Sequence, residues 1–274
     1  MTILLSILFG WAFDRAQMVM SAKNYGAIWN GYGAITLVNK REAKAPMAYR
    51  VLVPWIVALM EKLLPKVERL VVYQTLKLAG VVYAFWACWH WIGLTATLIC
   101  FMLLLVTVEY DYWDWAIELG GIAIAMSCGV WAAIGAVMLY AMSRETWPLA
   151  AAAYGLASGD WVGAFVVLTS GGMVWAVVRL IVGEKSLYCK RFMIRENWQQ
   201  IKEIKKWNLF YYVPTFISLM VTILVIAGIV NLPQGWPVPL ALIGAGWAMA
   251  KANEPRVFSA ALPWAAVWIW KGLL

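Results

Sequence analysis

Apolar runs of about twenty residues recur along most of this chain, the length an α-helix needs to cross the hydrocarbon core of a bilayer. Hydrophobic residues make up 64% of the 274 and charged residues only 13%. An ordinary soluble domain holds roughly 45–50% and about 25%, so the surplus apolar surface has to face lipid. The expected fold class is all-α: a polytopic transmembrane bundle of about nine spans, in one membrane domain over residues 1–274. Interfacial amphipathic helices complete it.

Charged and Pro/Gly clusters divide the runs. The first span is expected at 3–13, reaching 18–20 if the helix continues past Asp14. The stretch 14–50 then reads as the longest polar connection, and 51–64, closing on Glu61, Lys62, Pro65 and Lys66, as a helix lying at the interface. Further spans are expected at 70–89, 92–108, 116–142, 147–157, 161–182 and 209–230, then in one ending at 250, and at 257–270. The stretch 184–208 carries Lys185, Lys190, Arg191, Arg195, Lys202, Lys205 and Lys206 against three glutamates, and cannot cross. The apolar start has no basic residue before its core and no small-residue cleavage site, so it reads as a retained helix. The excess of basic residues in cytoplasmic loops favours a cytoplasmic N-terminus. That choice puts 184–208, Arg144, Lys251 and Arg256 inside and the acidic turn 109–114 outside. The first loop, with Arg15, Lys23, Lys40, Arg41, Lys44 and Arg50 against Asp14 and Glu42, opposes it.

The formal charge of +8 suits helix-flanking residues that meet anionic head groups, so membrane lipids are the expected partners and nucleic acid is not. Cys88, Cys100, Cys128 and Cys189 lack metal-ligand or CxxC spacing and read as packing residues. His90 is the sole histidine, which excludes a two-histidine metal site or relay within the chain. Neither a phosphate-binding Gly-x-x-x-x-Gly-Lys loop nor a Gly-x-Ser-x-Gly elbow occurs. Many of the 19 tryptophans, Trp11, Trp89, Trp161 and Trp236 among them, fall at span ends, where the ring meets lipid and the N–H meets water.

Ionisable groups beside or within spans are costly and mark candidate sites. Asp14, after the first span, could serve as a general base, or simply pair with Arg15 as a helix-end charge. Tyr49 and Arg50 precede the Val51-Leu52-Val53-Pro54 run, where a guanidinium could hold a phosphate bidentately or snorkel to lipid phosphate. In the turn Glu109-Tyr110-Asp111-Tyr112-Trp113-Asp114, the Asp111 and Asp114 carboxylates could bind a divalent cation, or be solvated loop charges. Arg144-Glu145 and Glu254-Pro255-Arg256 could form structural ion pairs with one another across the bundle.

The order of landmarks resembles bacterial GT-C-like membrane proteins, a group of polyprenyl-phosphate-sugar glycosyltransferases and their kin. Those landmarks are an Asp after the first span; Tyr49-Arg50-Val51-Leu52-Val53-Pro54; Tyr110-Asp111; Ser143-Arg144-Glu145-Thr146; and Asn253-Glu254-Pro255-Arg256 before Leu262-Pro263. The resemblance implies a protein of the bacterial cytoplasmic membrane that transfers a sugar from a polyprenyl-phosphate donor at the outer face. Asp14 would then be the catalytic base, and Arg50 and Tyr49 with Lys40, Arg41 or Lys44 would bind the phosphate. The chain departs from the pattern in being short and in lacking a paired carboxylate in its first loop. Two other classes compete: a non-catalytic subunit of a larger membrane assembly, bound to other membrane subunits, and a transporter.

Overall fold

The computed structural model describes residues 2–25, 29–43, 50–107, 113–128, 130–142, 161–183 and 262–272. Helix makes up nearly all of these residues, and no strand occurs among them. The elements are α1 Thr2–Tyr25, α2 Trp29–Asn39, α3 Leu52–Leu63, α4 Arg69–Ile92, α5 Leu94–Thr107, α6 Asp114–Ser127, α7 Val130–Ala141, α8 Trp161–Val182 and α9 Leu262–Gly272. Two of them, α4 (24 residues) and α8 (22 residues), are long and apolar enough to cross a membrane.

Several boundaries depart from the sequence-based expectation. The stretch 14–50 is not one polar connection: α1 runs through Asp14 to Tyr25, and α2 follows. Residues 15–24 contain neither Pro nor Gly, so nothing in the backbone stops the helix where the side chains turn polar. The expected span 116–142 is two helices, α6 and α7, because Cys128 is extended (ψ 163) and ends the first. Of the expected span 257–270, residues 257–261 lie outside the described residues and the rest is α9, with Pro263 close to its described start. Between α4 and α5, Gly93 takes φ +79 and its N–H caps Trp89 O at 3.0 Å. The expected spans 147–157 and 209–230, the span ending at 250, and the basic stretch 184–208 lie outside the described residues.

Helix α4 is the hub, packing against α1, α3, α5, α6 and α9. The core that results joins Phe13 of α1, Phe85 and Cys88 of α4, Phe101 and Leu104 of α5, Trp115 and Leu119 of α6, and Leu262 of α9. Its aromatic rings meet edge to face, Phe13 with Phe101 at 5.1 Å and Phe85 with Phe101 at 5.1 Å, the geometry the ring quadrupoles favour. A smaller cluster ties Ile35 of α2 to Val53 and Val57 of α3, Tyr73 of α4 and Trp113.

The polarity of α1 runs opposite to that of a soluble helix. Its buried positions include Ser6, Gly10, Asp14 and Gln17, while Ile3, Leu4, Leu5, Ile7, Leu8, Phe9 and Trp11 are exposed. Gly10 lets α1 approach closely, since a Cβ there would come within 2.7 Å of Val82 Cγ2 on α4. Helix α8 repeats the pattern: Trp161, Val162, Phe165 and Leu180 are exposed and Ser170 is buried.

Candidate functional site

Asp14 sits near the middle of α1, not at its end, and is 3% exposed. Its side chain does not depend on Arg15, which is exposed. Instead Oδ1 lies 3.1 Å from Nζ of Lys77, on the facing side of α4, and Lys77 is itself 2% exposed. One turn along α1, Gln17 is 1% exposed on the same buried face. Its amide oxygen and nitrogen make no hydrogen bond, and the approach of Lys77 to Asp14 Oδ1 is ionic, outside hydrogen-bond geometry. A carboxylate, an ammonium and an amide are thus gathered inside an otherwise apolar helix contact. Desolvating such groups is expensive unless they answer one another.

A second polar constellation joins α2, α3 and α4. The Tyr32 hydroxyl donates to Glu61 Oε1 at 2.9 Å, and the Arg69 guanidinium also reaches the phenol. Burial pushes the Tyr32 phenol above its ordinary pKa, and the hydrogen bond and charge of Glu61 push the same way, with Arg69 opposing. Nearby, Asn39 Nδ2 donates to Pro54 O at 3.2 Å, which pins the end of α2 to the start of α3.

Three of the predicted phosphate-binding residues flank the helix ends that this bond joins. Lys40 and Arg41 are exposed immediately after α2, and Arg50 is half-buried two residues before α3. Arg41 takes φ 59, the left-handed region that glycine usually fills. The hydrogen bonds Arg41 N to Val38 O (3.0 Å) and Glu42 N to Leu37 O (2.8 Å) close a Schellman cap around it. Tyr49 and Lys44 lie outside the described residues.

Of the predicted cation ligands, Asp111 lies outside the described residues and Asp114 opens α6, its side chain not described. Among the described residues no group of three His, Cys, Asp or Glu side chains could hold a metal ion. The predicted ion pairs Arg144-Glu145 and Glu254-Arg256 also lie outside them.

Sequence reasoning missed Lys77 and Gln17. Lys77 carried a usable signal, being a charge within the apolar run 70–89. Gln17 carried none, because an amide in a stretch read as a polar connection needs no partner.

No family model matches the sequence, and neither a curated protein nor a solved structure matches it.

Proposed function

We propose that this chain is a polytopic protein of the bacterial cytoplasmic membrane that acts on a polyprenyl-phosphate-linked sugar, with Asp14 as its acid–base group. The observation that carries the reading is the burial of Asp14 with Lys77 between α1 and α4. Ionisable side chains inside a membrane helix contact are retained chiefly where chemistry needs them. The membrane assignment draws support from α4 and α8, each long enough to cross, and from the apolar side chains that α1 and α8 turn outward. Helix α3 fits an interfacial position, burying Val53, Pro54 and Val57 while exposing Trp55, Leu59 and Leu63.

In this reading the corner formed by Lys40, Arg41 and Arg50 receives the lipid phosphate. The left-handed backbone of Arg41 is a small strain that a glycine would relieve, and such strain concentrates at functional positions. An acceptor hydroxyl attacks the anomeric carbon, its proton passes to the Asp14 carboxylate, and the sugar–phosphate C–O bond breaks with its electron pair leaving on polyprenyl phosphate. Arginine and lysine stabilise the charge that develops there.

The test is transfer of labelled hexose from a polyprenyl-phosphate donor in membranes containing the full chain. Asp14→Asn combined with Lys77→Met, which leaves no unpaired buried charge, should abolish transfer while folded protein remains, and full retention of transfer removes Asp14 from the mechanism.

A second reading, a non-catalytic subunit of a larger membrane assembly, is favoured by one observation: Asp14 already has a cationic partner within the chain, as structural ion pairs do. Membranes that hold the protein in a stable complex and show no donor-dependent transfer would select it.

A further inference from the structure

Helix α8, at 22 residues, is long enough to reach from one surface of a bilayer to the other. Its closing turns are covered. Val174, Val178 and Val182 pack with Val38 near the end of α2, with Ala43 after it, and with Val51 just before α3. Met142, which follows α7, joins the same cluster, and its carbonyl accepts from the Leu52 N–H at 3.3 Å. The α2–α3 link, the chain beyond α7 and the chain beyond α8 therefore leave from one end of the bundle.

That end is basic. Lys40, Arg41 and Arg179 are exposed there and Arg50 is half-buried, and Glu42 is the one acid among the described residues of this corner. Arg179 lies next to Val178 with its guanidinium 4.2 Å above the Trp175 ring, so its apolar stem follows the span while its charge stays exposed. The sequence runs on from Met142 to Arg144, and from Gly183 into 184–208 with its seven basic residues against three glutamates. Ahead of α8, by contrast, residues 146–160 hold no Lys or Arg and close on Asp160. Basic residues near span ends are kept on the cytoplasmic side. Charge alone sets the first loop against 184–208. Packing of residues 38–51 on the close of α8 puts both at the same end and removes that conflict.

We propose that this end of the bundle faces the cytoplasm, and that Lys40, Arg41 and Arg179 dock on the anionic phospholipid head groups of that leaflet. Neither part rests on the transfer reaction proposed above. A polyprenyl phosphate held at this corner would be held from the cytoplasmic side, not from the outer face that the family resemblance implies.

Orientation is read in intact cells with a membrane-impermeant maleimide, on the full chain carrying Cys128→Ala and Cys189→Ala, with the buried Cys88 and Cys100 kept. Lys40→Cys and Lys185→Cys should label only after permeabilisation. Trp161→Cys, at the other end of α8 and 70% exposed in the wild type, should label without it. Different behaviour of positions 40 and 185 overturns the shared end, and the mirror-image pattern overturns its cytoplasmic placement. Docking is read in reconstituted vesicles by electron spin resonance, comparing spin-labelled phosphatidylglycerol with phosphatidylcholine of the same chain. The wild type should prefer the anionic lipid, and the preference should fade in about 1 M salt. Lys40→Gln and Arg179→Gln should each lower it by up to about fivefold. Equal association of the two lipids with the wild type, or a preference untouched by both substitutions, overturns the docking and leaves the orientation to the labelling result.

Discussion

The ammonium of Lys77 lies 3.1 Å from Oδ1 of Asp14, joining α4 to the middle of α1 with both residues shielded from solvent. Removing one partner leaves the other as an uncompensated buried charge, whereas replacing both leaves an apolar contact of similar shape. Lys77→Met alone should therefore destabilise the protein by about 3–5 kcal/mol. Asp14→Leu combined with Lys77→Met should recover most of that loss. Reversible unfolding in mixed micelles, analysed as a double-mutant cycle, measures the coupling, and strictly additive losses would contradict a direct pair.

The approach of α4 to α6 sets a second expectation. A Cβ at Gly120 would collide with the ring of Tyr83, while a Cβ at Gly135 on α7 meets nothing within 4 Å. Gly120→Ala should cost about 1–3 kcal/mol through overpacking. Gly135→Ala should gain up to about 1 kcal/mol, because alanine loses less backbone freedom in a helix. Thermal unfolding of the two variants side by side decides it, and equal effects would show that Tyr83 yields freely.

At the end of α2 the relevant quantity is backbone strain. Arg41 holds φ 59 within a Schellman cap, where a non-glycine residue costs roughly 1–2 kcal/mol. Arg41→Gly should raise stability by about 1 kcal/mol or somewhat less, once the extra unfolded-chain entropy of glycine is counted. Binding of polyprenyl phosphate should weaken in the same variant. A variant both more stable and equally good at binding would remove Arg41 from the proposed phosphate site.

Tyr32, on α2 and outside the two helices long and apolar enough to cross a membrane, gives a pH expectation. Burial and Glu61 raise its phenol above the ordinary value of 10.0. A group with a raised folded pKa contributes stability that is complete below the unfolded pKa and is lost as pH rises through the folded one. The wild type should therefore lose stability relative to Tyr32→Phe only above about pH 10. Tyrosinate absorbance, taken as wild type minus Tyr32→Phe, should show a late-ionising phenol. Glu61→Gln should move that ionisation toward lower pH, and an unmoved titration would exclude the Glu61 contribution.

The sequence by itself determined helicity and the places where apolar helices lie. Runs such as 70–89 and 161–182 have one stable solution in lipid, because every backbone N–H and C=O must bond within its own segment. The helices α4 and α8 fall on them, and a helix at 51–64 was equally legible from its apolar run and its charged, proline-bearing close. At 14–50 side-chain polarity does not follow the helix boundaries. The carboxylate of Asp14 marks the end of an apolar run, but a helix ends on backbone grounds, and residues 15–24 give it none. Once α1 continues, Asp14 turns inward and its partner is decided by which residue of another helix arrives opposite it. Lys77 is 63 residues away in the chain, and only the packing of α1 on α4, admitted by the missing side chain of Gly10 over Val82, brings the two together. Local periodicity identifies a helix and its apolar face. The pairing of buried charges depends on helix register and crossing, which long-range packing sets and no single segment encodes.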